Sequence, residues 1–420
     1  MRRLIDHRVL RAAAWLTGGE LANRVARLVT AVVLARSLGI EMFALAAVLL
    51  ACFEIVRMLT HNGFGARIVG ADDAALPAVT AAVHRANWLL ALVMAGLQVG
   101  LAVPVARLYG APDLVAPLAA LAGVYLIYPF ATVQVFLTQR CGDLRLFAVL
   151  GSGQTIVENV LIAVLALGGF GLWSLVLPKF VVAAGWVLVW RRRVAWRATV
   201  RTTRAEWRDL LTYGRTVFGA EAVRTLATHC DKLIVGKVLG LEVLGYYAFA
   251  VNAGSGVALS LSTAVGNVIL PFVAGRLGAP GAAPQARLAA GLKLVALTVL
   301  PLLLLQAALA PLYVPLVFGS QWAPAINIVM LACVAASARP FLTAIAQYYR
   351  ASGRVGEEWR MAWLSNGCLL GGLIAGLPFG LDGAGIGLVV GALLPLPLVF
   401  HHAFANHETG PRPHLMGASS

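Results

Sequence analysis

The chain has 420 residues, 60% of them hydrophobic and only 12% charged, with a mean hydropathy of +0.83. So much apolar surface excludes a soluble globular domain, whereas a bilayer accommodates it in helices of about 20 residues that satisfy their own backbone hydrogen bonds. The formal net charge of +15 resides mostly in loops of one side, which excludes a nucleic-acid partner as its explanation.

In chain order, the first apolar run covers 12–34 and follows Arg2, Arg3, Arg8 and Arg11. It is too long for a signal peptide, carries Glu20, Arg24 and Arg27, and lacks a small-residue cleavage site, so it reads as a retained helix. Eleven further spans are expected at 40–60, 84–106, 114–138, 145–167, 172–190, 211–236, 243–270, 291–317, 322–347, 361–379 and 383–403. An even number of crossings puts both termini on one side. Twenty loop and terminal arginines, from Arg2 to Arg412, fall on that side, against Arg36, Arg107 and Lys237 on the other. The positive-inside rule then makes the termini cytoplasmic. The densest basic cluster, Arg191 to Arg208, joins spans six and seven. It sets topology, with contact to anionic membrane lipids or a cytoplasmic partner as the alternative role.

The expected organisation is a six-helix half over 1–190, a basic cytoplasmic loop over 191–210, a second six-helix half over 211–404 and a disordered cytoplasmic tail over 405–420. The loops opposite the termini span only several residues, too few to build an external catalytic site. There is no nucleophile elbow, no His/Glu zinc pattern and no phosphate-binding glycine loop, and the five cysteines form no CxxC pair. No enzymatic activity, cofactor or metal is expected. Asp72-Asp73 reads as a solvated loop in preference to a metal pair. Gly151-Ser152-Gly153 falls within a helix and reads as a close-packing site.

Displacing the chain on itself by 201 residues aligns Gly18, Gly19 and Glu20 with Gly219, Ala220 and Glu221. The same offset aligns Arg36, Gly39, Ile40 and Glu41 with Lys237, Gly240, Leu241 and Glu242. Span one is therefore the counterpart of span seven, and span two of span eight. The fold class is an all-α polytopic membrane protein of about 12 transmembrane helices, arranged as two six-helix parallel repeats around a central cavity.

Charged residues inside the spans cost about 2.5–3.5 kcal/mol each near the bilayer centre, so they face water or one another. Glu20, Arg24 and Arg27 share one stripe of span one, and Glu54, Arg57 and His61 one stripe of span two. Glu221, Arg224, Thr228, Asp231 and Lys232 fall within one arc of span seven. Lys179 and Glu158 also lie within spans. The stripes describe a polar, mildly cationic path, suited to phosphate because guanidinium forks match phosphate oxygens. The acids are either structural partners or sites at which a proton or sodium ion couples to transport.

Three segments carry a resemblance. The stretch VVLARSLGIEMFALA ending at Ala46 resembles the first hairpin of polysaccharide-type flippases of the multidrug/oligosaccharidyl-lipid/polysaccharide exporter superfamily. His61-Asn-Gly-Phe-Gly-Ala-Arg-Ile-Val69 resembles the glycine-rich end of their second helix. Asp231 to Ala250, DKLIVGKVLGLEVLGYYAFA, resembles the family's run D-x-x-[IL]-[IV]-G-x-x-L-G-x-x-x-[LV]-G-x-Y-x-x-A, with Leu270-Pro271 ending the next span. The resemblance implies a flippase or exporter that moves undecaprenyl-diphosphate-linked oligosaccharide across the bacterial inner membrane by alternating access. Arg24, Arg27 and Arg57 stand where the family places basic groups, and Arg224 and Lys232 extend that substrate-binding set by helical spacing. Glu20, Glu54, Glu221 and Asp231 would be coupling or structural acids. A polysaccharide polymerase and glycosyltransferases are the implied partners. The alternatives are a drug- or cation-coupled exporter of the same superfamily, a peptidoglycan-precursor flippase, and a scaffold that recruits synthesis enzymes through the Arg191–Arg208 loop.

Overall fold

The computed structural model describes residues 7–60, 64–142, 144–197, 203–273 and 284–405, and every regular element among them is helical. His61, residues 198–202 of the basic loop and the tail beyond Ala405 lie outside the described residues.

The first elements are α1 (His7–Ser37), α2 (Ile40–Arg57), the short α3 (Phe64–Val69) and α4 (Leu76–Leu108). Next come α5 (Val115–Ile127), α6 (Thr132–Arg140), α7 (Leu144–Leu167) and α8 (Trp173–Arg193). They are followed by α9 (Arg204–Leu239), α10 (Leu241–Val273), α11 (Pro284–Ala308) and α12 (Ala310–Tyr313). The chain ends in α13 (Ile326–Ala336), α14 (Ala338–Ala351), α15 (Val355–Gly376), α16 (Gly380–Leu393) and α17 (Leu396–Ala405). Prolines explain several breaks within a crossing. Pro129 interrupts the path from α5 to α6, and Pro395 the path from α16 to α17.

Among the described residues eight stretches are long and apolar enough to cross a bilayer. One of them, Gly356–Ala405, is 50 residues long and contains a hairpin, so it makes two crossings. Helices α1, α9 and α10 have 31, 36 and 33 residues, sufficient to span about 30 Å of hydrocarbon. The charges that α1 and α9 carry are what separate them from the strongly apolar stretches. Together these make the twelve crossings.

The chain divides into two compact units, Met1–Lys237 and Val238–Ser420. In the first, α1 runs along α7 and α4 along α5. Thr30 Oγ1 donates to the carbonyl of Asn159 at 3.0 Å, tying α1 to α7. Helix α9 belongs to this unit as far as Lys237. Leu210 packs with Phe64, Ile68 and Val83, and the Tyr109 hydroxyl donates to the carbonyl of Leu233 at 2.7 Å. Leu28, Leu92, Val160 and Val164 are exposed on these helices. Apolar surface of that kind on a spanning helix is matched by lipid.

In the second unit α10 packs on α13 and α14. Helices α15 and α16 form an antiparallel hairpin with glycine at almost every point of contact. A methyl on Gly372 would lie 2.9 Å from Gly391 Cα and also press on the Gly387 carbonyl. Gly376 and Gly383 face each other in the same way. The four-residue spacing of Gly372 and Gly376, and of Gly383, Gly387 and Gly391, puts a smooth ridge on each helix.

Gly151 and Gly153 do not behave as expected from the sequence. They lie within α7, but a Cβ added to either would meet nothing within 4 Å, so this triplet is not a close-packing site. Intimate glycine contacts are found instead in the α15–α16 hairpin and at Gly254 of α10, which lies against the α13 backbone.

The two units also share a pattern of turns. Gly110 and Gly319 have φ of 62° and 110°, and Gly171 and Gly380 of 52° and 74°. Both pairs are 209 residues apart, and each lies in a matching motif: Tyr109-Gly110 with Phe318-Gly319, and Phe170-Gly171-Leu172 with Phe379-Gly380-Leu381. Gly142 and Gly353 end α6 and α14 with φ of 74° and 72° and are separated by 211 residues. Pro129-Phe130 and Pro340-Phe341 repeat at the same distance. Left-handed backbone favours glycine because it has no Cβ to clash. The internal repeat therefore extends beyond the first two spans of each half, at a register about ten residues longer than 201.

Candidate functional site

Several polar side chains inside the first unit form ion pairs within the spans. Helix α2 is apolar from Ala44 to Phe53 and almost wholly buried there, then presents Glu54 and Arg57 in its last turn. Spacing of three residues sets both on one face. Arg57 donates from Nε and Nη2 to Glu54 Oε2 at 3.0 and 2.5 Å. The side chains are 40% and 28% exposed, respectively. The chain leaves α-helical geometry at this point and continues as a 3-10 turn over Met58–Thr60.

Next to this pair stands a second one. Lys179 Nζ of α8 lies 2.8 Å from Glu158 Oε1 of α7 and 5.0 Å over the centroid of the Phe53 ring. Phe53 also stacks on Tyr125, with centroids 5.2 Å apart and rings inclined by 9°. The Tyr125 hydroxyl donates to the carbonyl of Phe53 at 3.0 Å, with Gln98 Oε1 3.3 Å away. Gln98 Nε2 in turn donates to the carbonyl of Leu118 at 3.2 Å. Tyr128 completes the layer. It is hydrogen-bonded to Gln154 and interacts electrostatically with Glu158, Arg57 and Glu54.

A third pair belongs to α9. Lys232 Nζ lies 3.2 Å from Asp231 Oδ1 and donates to the carbonyl of Thr228 at 3.3 Å. His229, on the same helix, interacts with Lys232, Glu54, Asp231 and Arg57. Three cations inside the spans thus each have a carboxylate: Arg57 with Glu54, Lys179 with Glu158, Lys232 with Asp231. Pairing is what the low dielectric demands, because an isolated charge there would be costly.

A cavity of about 480 Å³ opens beside Arg57. Tyr125, Tyr128, Asn87 and Thr132 add polar atoms to its wall, while Leu90, Met94 and Phe136 make it largely apolar. Among the described residues Arg57 is the one charged residue in that wall. The arrangement suits an amphipathic ligand with an anionic group: aromatic and aliphatic carbon along most of the surface, a guanidinium at one point.

Glu54, Arg57, Asp231 and Lys232 all interact electrostatically with His229. Arg24 is half-buried and Arg27 exposed on α1. The side chains of Glu20, Glu221 and Arg224 lie outside the described residues, although their helices are placed. Sequence reasoning omitted Glu158, Lys179, Tyr125, Tyr128, Gln98 and His229 from the site. A signal for the first two existed: an acid and a base each within about three turns of the short connection between α7 and α8. Asp73, of the Asp72-Asp73 pair, lies 2.6 Å from Arg140 Nη2, which ties the loop after α3 to the end of α6.

Several known proteins are similar to this chain. The succinoglycan biosynthesis transport protein ExoT of Rhizobium meliloti (strain 1021) is 28% identical over 320 residues, covering 75% of this chain. The chain spans 63% of the length of ExoT. The amylovoran biosynthesis protein AmsL of Erwinia amylovora is 36% identical over 63 residues, 15% of this chain and 16% of AmsL. Among solved structures, the lipid II flippase MurJ in an inward closed conformation superposes with a TM-score of 0.74 at 12% identity, over 92% of this chain and 87% of MurJ. An inward-facing multidrug resistance MATE family transporter of the MOP superfamily gives 0.65 at 16% identity, over 91% and 93% of the two chains. The chain shares the fold of these membrane transporters. Its sequence from residue 33 to residue 327 matches the polysaccharide biosynthesis protein family, to which it belongs.

Proposed function

We propose that the chain is a flippase or exporter that moves undecaprenyl-diphosphate-linked oligosaccharide across the bacterial inner membrane by alternating access. The observation that carries this reading is the set of part-buried ion pairs and tyrosines within the spans, with Arg57 opening onto a largely apolar cavity. A diphosphate and several sugars find no hydrogen-bonding partners in hydrocarbon. A guanidinium beside aromatic and aliphatic walls supplies both an anion site and a surface for lipid or sugar carbon. Family membership and the likeness to ExoT support a polysaccharide cargo.

In this reading Arg24, Arg27, Arg57, Arg224 and Lys232 receive the head group. Glu20, Glu54, Glu221 and Asp231 hold those cations or couple transport to a proton or sodium ion. Arg27 supports an aqueous path, because an exposed guanidinium on a spanning helix requires water beside it. The chain works as two six-helix halves, 1–190 and 211–404, joined by the basic loop 191–210, with both termini cytoplasmic as the placement of arginine directs. Its cargo is supplied by glycosyltransferases and consumed by a polymerase, and the chain itself catalyses no covalent step.

The test is complementation. Deletion of the gene should cause lipid-linked repeat units to accumulate on the cytoplasmic side, and wild-type protein should relieve it. No accumulation, or relief by an Arg57→Ala, Arg24→Ala double variant, would count against the reading. The fold shared with the MATE transporter and the apolar walls of the cavity favour a second reading, export of amphipathic drugs. Arg57 disfavours cationic ones. A change in drug resistance without a change in surface glycan would select it.

A further inference from the structure

Arg57, Lys179 and Lys232 each have a carboxylate partner, so an anionic substrate meets no vacant cation among these three pairs. It has to displace one. The three pairs differ in how accessible they are. Lys179 is 15% exposed and held between Glu158 and the face of Phe53. Lys232 is 12% exposed, its partner Asp231 8%. Arg57 is 40% exposed and lines the cavity.

We infer that a diphosphate entering this cavity takes Arg57 away from Glu54, and that Glu54 then takes up a proton, so that anion binding and proton uptake are linked at a single carboxylate. The inference rests on the proposed transport of a lipid diphosphate. Arg57 engages Glu54 through both Nε and Nη2, the edge with which a guanidinium grips an anion in bidentate fashion. Glu54 and a phosphate group compete for that edge. Once displaced, the carboxylate stands at mid-span, 28% exposed, without its counterion. An unpaired charge there is costly, and uptake of a proton removes it.

The step balances as follows. The ion pair Arg57–Glu54, a diphosphate and one proton from water become an Arg57–diphosphate pair and a neutral Glu54 carboxyl, and release of the diphosphate reverses each change. Arg57 on its own helix, His229 on α9, and Tyr125 and Tyr128 at the end of α5 interact with Glu54, and Asp231 and Lys232 interact in turn with His229. Glu158 interacts with Tyr128 but is neutralised by Lys179. Asp231 keeps Lys232 throughout. His229 is the other group able to accept the proton, but it loses no partner when the anion binds.

The experiment uses the purified full-length protein in lipid nanodiscs with farnesyl diphosphate as the probe. Calorimetry in two buffers of different ionisation enthalpy gives affinity and the number of protons taken up per bound probe. Titration of the probe itself is common to all variants. Wild type and His229→Asn are expected to take up about one proton more than Glu54→Gln near neutral pH. The affinity of wild type should weaken by up to about tenfold per pH unit more steeply than that of Glu54→Gln. Binding with equal proton uptake in wild type and Glu54→Gln, or uptake lost in His229→Asn instead, overturns the inference and leaves the transport reading intact. Failure of the probe to bind wild type overturns both.

Discussion

Lys179 and Glu158 meet at 2.8 Å across the α7–α8 interface, and the same ammonium lies over the face of Phe53. Cation and carboxylate neutralise each other where neither has enough water. Lys179→Ala should therefore leave Glu158 buried and unpaired and cost about 3–5 kcal/mol. The double variant Lys179→Met, Glu158→Leu should regain most of that loss, because an apolar pair of similar volume avoids the desolvation of both charges. Melting temperatures of the three proteins in one detergent check this. A double variant as unstable as Lys179→Ala would show that the pair has another role.

At Arg57 charge and geometry separate. Arg57→Ala removes the cation from the cavity and should reduce glycan export roughly tenfold or more, the loss expected for one charge-assisted contact of about 1.5–3 kcal/mol. Arg57→Lys keeps the charge but loses the two-pronged grip on one carboxylate oxygen, so it should recover only part of the activity. Export assays at matched protein levels distinguish the two.

The α15–α16 hairpin should reject any side chain at its contact ridge. Gly376→Leu or Gly387→Leu would drive a branched side chain into the backbone of the facing helix and should cost at least about 1–3 kcal/mol, with loss of folded protein. Gly151→Ala on α7 meets open space and should leave stability unchanged or raise it by up to about 1 kcal/mol. Fluorescence-detected size exclusion of the variants measures both effects.

Arg140 Nη1 donates to the carbonyls of Ile68 and Val69 at 3.3 Å and to that of Ala71, closing the end of α3. Its Nη2 reaches Asp73, whose side chain is 95% exposed. An exposed partner contributes little, whereas orphaned helix-end carbonyls cost more. Asp73→Ala should therefore melt close to wild type and Arg140→Ala clearly lower. Equal losses would mean that the ion pair, and not the capping, holds the loop.

The crossings were legible because apolar runs of about 20 residues dictate them whatever their neighbours do. The Glu54–Arg57 pair was legible too, since three-residue spacing on one helix fixes proximity. Glu158 with Lys179 was not, because their meeting depends on how α7 and α8 face each other, and the contacts of Phe53 with Lys179 and Tyr125 likewise depend on how separate helices pack. Gly151 and Gly153 show the converse failure. Spacing identifies a smooth helical surface but not whether another helix lies against it. An ungapped offset of 201 residues found the repeat of the first hairpins. It missed the later turn glycines, such as Gly110 with Gly319, because the second half is longer by about ten residues before them.

The central claim, transfer of a lipid diphosphate glycan between leaflets, is tested most directly in proteoliposomes. The purified protein would be reconstituted with a fluorescent undecaprenyl-diphosphate oligosaccharide, and the fraction open to a membrane-impermeant quencher followed with time. Wild-type protein should bring the inner-leaflet population within reach of the quencher far faster than Arg57→Ala or empty liposomes do. Equal rates in all three preparations would contradict the account.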